Sequence, residues 1–147
     1  MTQPKRILVG VDFSDTSTHA LAYAADLAEK LGASLDVVHA YQLPVYALPD
    51  GAVMAGADFT ARLTDDLQRE LDRTVEPYGK RGLAVERHLV RGTPHEEIVR
   101  RAREDGAEMI VVGTHGRSGL EHLLLGSVAE RVVRTAPIPV LTVRKPA

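Results

Sequence analysis

The chain lacks several features that would assign it to a common functional class. It has no cysteine among its 147 residues, which excludes disulfides, thiolate metal ligands and cysteine nucleophiles. Its apolar runs have only the length of strands, so we expect no transmembrane helix, and its first residues show no signal-peptide pattern. The formal net charge of −2 argues against a nucleic-acid partner held by phosphate neutralisation. We therefore predict one cytoplasmic domain over residues 1–147, with neither a membrane nor a nucleic-acid partner.

Motifs with a diagnostic catalytic or cofactor spacing are also missing. No Gly-Lys-Ser/Thr completes a Walker loop, and the dinucleotide pattern lacks its third glycine. The segment Gly116-Arg117-Ser118-Gly119 does not match the G-x-S-x-G nucleophile elbow. The six histidines show no H-x3-H metal pattern. The sequence therefore gives poor support to a serine hydrolase or a histidine-based metal site.

Short β-rich runs alternate with longer helical segments, which indicates a parallel α/β sheet. We predict strands over residues 6–11, 34–41, 83–90, 107–112 and 139–143. We predict helices from Ser14 to Gly32, from residue 58 to about 80, from Thr93 to about residue 106, and one ending near residue 135. Pro77 is expected to kink or end the second helix early. Thr93 and Glu96 are expected to form a capping box.

Two other segments carry proline and glycine signals. Residues 42–57 are predicted to be irregular, and they can be either a lid beside a site or a slack surface connection. Pro137 and Pro139 cannot donate to a β-ladder, which places the start of the last strand at a sheet edge.

The most informative stretch is the glycine-rich segment from Gly113 to Ser127. Gly113 is predicted where the fourth strand ends, and Gly126-Ser127 where the last helix begins. Free N–H groups and the helix dipole at such a start attract phosphate, and glycine lets the backbone approach its oxygens. The residues alone fit equally well a plain strand-to-helix loop followed by a helix that Ser127 and Glu130 cap.

The spacing Gly113-x2-Gly116-x9-Gly126-Ser127, with VGVDFSDTS near the start and PIPVLTVR near the end, resembles the universal stress protein family and in particular its ATP-binding branch. The resemblance extends over residues 6–144. It implies a three-layer, Rossmann-like fold of the adenine nucleotide alpha hydrolase type, with five parallel strands in the order 3-2-1-4-5. In that order a crevice opens between strands 1 and 4.

The same resemblance implies a site for ATP or a related adenine nucleotide. It assigns to nucleotide contact the residues Gly10, Val11, Asp12, Ala40, Val112, Gly113, Thr114, Gly116, Arg117, Gly126, Ser127 and Val128. Asp12 and Ser127 would share Mg²⁺ with the phosphates, although Asp12 can equally be a turn or helix-capping carboxylate. Arg117 can pair with a phosphate or be a solvated surface side chain. His115 is expected to be an exposed loop histidine and not a catalytic group.

Three functions stay open at this stage. The favoured one is a nucleotide-binding regulatory protein of the stress response. The second is a slow ATPase, for which Asp12, His115 and Arg117 are candidate groups without a diagnostic spacing. The third is a dimeric interaction protein with a vestigial site. The resemblance also implies a homodimer through the last strand, Ile138 to Val143, unless Arg144 and Lys145 protect that edge.

Overall fold

The chain forms a parallel β-sheet between two layers of helices. The computed structural model describes residues 2–49, 51–54, 56–117, 122 and 124–146. The strands in these ranges are β1 (Arg6–Gly10), β2 (Ser34–Tyr41), β3 (Val45–Leu48), β4 (Gly51–Met54), β5 (Val85–Arg91), β6 (Met109–Gly113) and β7 (Val140–Val143). The helices are α1 (Asp15–Leu31), α2 (Ala57–Lys80), α3 (Pro94–Glu104) and α4 (Ser127–Thr135). Within the described ranges, no helix combines the length and the apolar content needed to cross a bilayer.

The main sheet has five parallel strands in the order β5-β2-β1-β6-β7. Counted within this sheet alone, the order is 3-2-1-4-5, and the predicted topology is confirmed. β1 pairs with β2 on one side and with β6 on the other. Because the winding direction reverses at β1, a crevice opens at the carboxyl ends of β1 and β6.

Each face of the sheet carries its own apolar core. Ile7 and Val9 pack with α1 and α2, whereas Leu8 between them packs with α3 and α4. This alternation follows from the two-residue period of a strand. All three side chains are fully buried, as expected for a strand covered on both faces. Apolar runs in the sequence therefore mark central strands.

α2 confirms the helix predicted over residues 58–80. It does not end at Pro77 but continues to Lys80, because tertiary packing of its buried residues outweighs the local cost of proline. Two capping predictions are wrong. Thr93 precedes α3 as predicted, but its side chain makes no capping hydrogen bond, and its hydroxyl instead accepts from Gln42 Nε2 at 3.3 Å. Gly126 is the cap residue of α4, and Ser127 is the first helical residue.

Residues 42–57 are not wholly irregular, contrary to prediction. β3 and β4 form an antiparallel hairpin with Val45 opposite Met54 and Leu48 opposite Gly51. Gly51 has φ +128°, a backbone conformation that glycine adopts without a steric penalty. The sequence Pro49-Asp50-Gly51 between two short apolar runs is a turn signal that indicates such a hairpin.

Candidate functional site

A cavity of about 140 Å³ opens at the carboxyl ends of β1 and β6. Of the residues that the sequence assigns to nucleotide contact, all except Arg117 line it. They are Gly10, Val11, Asp12, Ala40, Val112, Gly113, Thr114, Gly116, Gly126, Ser127 and Val128. Arg117 is exposed and reaches the site through its backbone N–H, as described below. The structure thus brings residues from both ends of the chain into one wall.

The floor of the cavity is apolar and closely packed. A Cβ on Gly10 would lie 2.6 Å from Ile98 Cδ1, so the end of the Ile98 side chain on α3 uses the space that glycine leaves beside β1. Val38 and Val112 complete the floor, and both are buried. A flat apolar ring fits such a surface better than a charged group does.

Asp12 occupies the turn between β1 and α1 and is held from two sides. Its Oδ1 accepts hydrogen bonds from the backbone N–H and the hydroxyl of Ser14. Its Oδ2 accepts the backbone N–H of Arg117 at 2.9 Å. Burial raises the pKa of Asp12, but the hydrogen bonds from Ser14, Ser17 and Arg117 together outweigh it and hold the pKa below its ordinary value. Asp12 is therefore a turn carboxylate, as one of the two predictions had it, and it also forms part of the cavity wall.

The glycines after β6 stand where a side chain would collide with neighbouring groups. A Cβ on Gly116 would overlap Asp12 Oδ2, and one on Gly113 would lie 2.9 Å from Thr16 Cγ2. A Cβ on Gly126 would lie 3.2 Å from the carbonyl oxygen of Thr114. These close approaches give a physical reason for the glycine spacing that does not depend on any ligand.

The start of α4 faces the cavity without a capping side chain. Gly126 has φ −70° and ψ 167°, and no side chain makes a cap hydrogen bond there. Its N–H donates to the Thr114 carbonyl at 2.6 Å. Ser127, which is exposed, and Val128 follow in the cavity wall. The positive end of the helix dipole and the first-turn N–H groups make this wall suited to an anion.

The turn that presents Asp12 rests on a buried histidine. His39 Nδ1 donates to the carbonyl of Val11 at 2.8 Å, since a carbonyl oxygen can only accept. The His39 ring lies 4.3 Å from the ring of Phe13, whose φ of +64° is rare for a residue with a β-carbon. Burial lowers the pKa of His39, although the bond to Val11 and the Asp12 charge oppose this. Sequence reasoning assigned no role to His39.

Sequence reasoning missed several lining residues, namely Ser17, Val38, Pro94, Ile98 and Ala129, and it considered a sixth, His115, only as a candidate group for hydrolysis. One of these had a usable signal, since Val38 lies two residues before Ala40 and so shares its face of β2. His115 is half-buried rather than exposed, and its Nδ1 lies 3.1 Å from Thr114 Oγ1.

The fold and the cavity define a three-layer α/β protein with a crevice at the switch point of a 3-2-1-4-5 sheet. The chain belongs to the universal stress protein family, whose model matches residues 4–144. It is 34% identical to universal stress protein MJ0531 of Methanocaldococcus jannaschii, over 97% of this chain and 83% of that protein. It is 33% identical to universal stress protein YxiE of Bacillus subtilis, over 95% of this chain and 98% of that protein.

Solved structures support the same assignment. The structure of the hypothetical protein MJ0577 superposes with a TM-score of 0.82 at 26% identity, over 99% of both chains. A universal stress protein in complex with cAMP superposes with a TM-score of 0.71 at 28% identity, over 97% of this chain and 98% of that one. A universal stress protein of Archaeoglobus fulgidus in complex with dAMP gives 0.67 at 26% identity, over 97% and 99%. Two of these relatives thus hold adenine nucleotides.

Proposed function

We propose that this chain binds ATP or a related adenine nucleotide in the cavity at the ends of β1 and β6, and acts as a regulatory member of its family in the stress response. The observation that carries the proposal is the clamp between Asp12 and the Arg117 N–H, which Gly116 makes possible. This hydrogen bond holds the loop of Gly116 against the turn after β1. The loop lies next to the start of α4, which no side chain caps. Related proteins in complex with cAMP and dAMP support an adenine nucleotide as the ligand.

The chemistry of the two walls suggests how a nucleotide would lie. The adenine ring would cover the apolar floor around Val38 and Ala40. The phosphates would lie at the loop of Gly116 and at the start of α4, where N–H groups and the helix dipole favour negative charge. The Arg117 side chain, which is exposed, would be near enough to the loop to pair with a phosphate oxygen.

The residues present also fit Mg²⁺ bound together with the phosphates. The carboxylate of Asp12 is held in its ionised form, and Ser127 offers an exposed hydroxyl in the same cavity. Mg²⁺ prefers oxygen ligands and commonly uses one or two protein groups with substrate phosphates. When bound, the ion would neutralise phosphate charge, while Asp12 and Ser127 orient the phosphate end of the ligand.

Calorimetry with ATP and a matched pair of variants tests the proposal. Gly126 and Gly56 both cap a helix in the same extended conformation, with φ −70° and −61°. A Cβ meets the Thr114 carbonyl at Gly126 but open space at Gly56. Gly126→Val should therefore abolish ATP binding, whereas Gly56→Val should leave it unchanged. Equal ATP affinity in wild type and Gly126→Val would rule out the phosphate assignment.

Mass spectrometry of the nucleotide released from freshly purified protein separates binding from turnover. Intact ATP supports a storage or signalling role, whereas ADP supports the slow ATPase. If the protein releases no nucleotide and binds none at micromolar concentration, the site is vestigial.

We infer further that the chain assembles as a homodimer through β7. β7 pairs with β6 on one side, and the main sheet has no described strand on the other. An edge of this kind pairs readily with a second strand. The cytoplasmic location and the single domain over residues 1–147 stay predictions.

A further inference from the structure

A second group of polar side chains lies on the α3 side of the sheet, away from the cavity. It consists of Asp36 on β2, His88 on β5 and Asp105 after α3, and we name it the Asp36 cluster. Asp36 is only 1% exposed, yet its Oδ2 has no hydrogen-bond partner among the described residues. A buried carboxylate oxygen without a partner carries a desolvation penalty that hydrogen bonding normally removes.

His88 presents an unpaired nitrogen at the centre of this cluster. Its buried Nε2 has no hydrogen-bond partner in the described part of the chain. It lies 3.6 Å from Asp36 Oδ1, 3.9 Å from Asp105 Oδ2 and 3.8 Å from Glu86 Oε2. These separations are too long for hydrogen bonds. The three carboxylates therefore surround Nε2 without bonding to it.

The ligand atoms of the cluster lie somewhat farther apart than those around a small metal ion. One ligand atom from each of Asp36, His88 and Asp105 lies within 4.8 Å of the others. Tetrahedral zinc has bonds of about 2.0–2.2 Å to nitrogen and oxygen, which places its ligand atoms about 3.4 Å apart. Small movements of the three side chains would close the difference.

We propose that the Asp36 cluster is a binding site for a divalent transition-metal ion of the zinc type. Asp36, His88 and Asp105 are the ligands, and Glu86, whose side chain is largely exposed, or a water completes four-coordination. Asp36 offers Oδ1, the oxygen that lies 3.6 Å from His88 Nε2, and the carboxylates of Asp36 and Asp105 supply negative charge to the ion. The ion would tie β2, β5 and the end of α3 together.

Two arginines, Arg101 and Arg6, contact the cluster and would compete with a bound ion for its ligand groups. Arg101 donates to His88 Nδ1 at 2.9 Å and to Asp105 Oδ2 at 2.7 Å. Because a guanidinium only donates, Nδ1 must accept, and the imidazole proton is on Nε2 in the metal-free protein. Arg6 Nε lies 3.7 Å from Asp36 Oδ2. Metal binding through Nε2 moves the proton to Nδ1, so Arg101 must release His88 while it keeps Asp105.

The proposed metal site does not depend on the proposed nucleotide site. Asp36 and Ala40 lie on the same face of β2 but four residues apart, or about 13 Å along the strand. None of the cluster residues lines the cavity. A negative result for zinc therefore leaves the nucleotide proposal untouched, and the reverse also holds.

Zinc binding to untagged full-length protein, measured by equilibrium dialysis and atomic emission, tests this proposal. Wild type and the control variant His19→Gln, which changes a histidine on α1 outside the cluster, should bind about one equivalent. Asp36→Asn and His88→Gln should weaken binding by about tenfold or more. Arg101→Gln should tighten binding, since it removes the competing cation. Equal zinc binding in wild type, Asp36→Asn and His88→Gln would show adventitious surface binding and overturn the proposal.

Nitrogen NMR of the imidazole in wild-type protein gives a second test that needs no variant to fold. His88 should carry its proton on Nε2 without zinc and on Nδ1 with zinc, and its Nε2 resonance should shift on ligation. A His88 that keeps the Nε2–H tautomer at saturating zinc would overturn the proposal and identify the cluster as an ion-pair network only.

Discussion

The carboxylate of Asp12 accepts the backbone N–H of Arg117 at 2.9 Å, which joins two residues that are 105 positions apart in the sequence. The bond ties the turn after β1 to the loop after β6. Gly116 stands beside it because any β-carbon there would overlap Asp12 Oδ2. The shape of the proposed phosphate wall therefore depends on a carboxylate from the other end of the chain.

Gly116→Ala should weaken ATP binding by about tenfold or more, equivalent to about 1.4 kcal/mol. The added methyl group displaces the Asp12 carboxylate and opens the clamp to Arg117. Calorimetry with ATP measures the effect. Gly79→Ala is the control, because Gly79 lies within α2 with open space around its Cβ position. The control should keep its ATP affinity and gain up to about 1 kcal/mol of stability. Unchanged ATP affinity in Gly116→Ala would contradict the role of the clamp.

The pKa of His39 predicts a pH dependence of stability. His39 has an ordinary value near 6.5 when unfolded, and burial lowers it in the folded protein. Between the two values the unfolded chain binds the extra proton, so the free energy of unfolding should fall as pH drops from about 6.5 through the folded pKa. His39→Phe should remove this contribution, and urea unfolding at a series of pH values measures it.

The same His39→Phe variant should lose about 1–3 kcal/mol at neutral pH, because the buried Val11 carbonyl loses its donor. His19→Gln changes a half-exposed histidine on α1 and should leave the stability at neutral pH nearly unchanged. If His39→Phe unfolds with the pH profile of wild type, burial of a neutral His39 is not the cause of the dependence.

Asp36→Asn should stabilise the metal-free protein by about 1 kcal/mol or more at neutral pH, since it removes a buried charge whose Oδ2 has no hydrogen-bond partner among the described residues. Burial raises the pKa of Asp36, although Arg6 and His88 oppose the rise. The folded protein therefore binds the extra proton above the ordinary value of 3.8, and wild-type stability declines as pH rises through the folded pKa. Thermal unfolding with a chelator present should show the gain at pH 7 and little gain near pH 3.8. A variant that is less stable than wild type at pH 7 would contradict this.

Thr142→Pro should convert the proposed dimer to a monomer. The carbonyls of Pro139 and Val143 accept from the N–H groups of Ile110 in β6 and of Thr114 just after it. Alternation along the strand therefore turns the N–H of Thr142 to the open edge. Proline removes that donor and leaves pairing with β6 intact. Light scattering gives the mass, with Thr142→Val as the control that keeps the N–H. A wild-type protein that is monomeric at all concentrations would rule out the dimer.

Sequence patterns predict those parts of this fold that depend on local periodicity. The apolar run around Leu8 identifies a central strand because both faces of β1 are covered. The glycines from Gly113 onward locate the end of β6. The register between neighbouring strands is not local, however. Asp36 pairs with Glu86, and His88 pairs with Val38, two residues after Asp36. Neither strand's own sequence predicts that Asp36 and His88 lie close together.

The errors at helix ends have a related cause. A capping pattern shows which side chains are able to bond, not which neighbours compete for them. Gln42 engages the hydroxyl of Thr93, and the N–H of Gly126 is drawn to the Thr114 carbonyl. Gln42 and Thr114 both lie outside the helices concerned. The local pattern therefore predicts where each helix starts but not which hydrogen bond forms there.

The contact between Gly10 and Ile98 makes the floor of the cavity adjustable. One methyl group of Ile98 fills the space that a β-carbon on Gly10 would occupy, and the same side chain lines the cavity. Shortening it with Ile98→Ala would open a hole beneath the proposed adenine ring without touching the proposed phosphate wall. An adenine analogue with a matching bulky substituent would then bind the variant and be rejected by wild type. Such a pair would allow this chain to be addressed chemically apart from proteins that keep the larger side chain at this position.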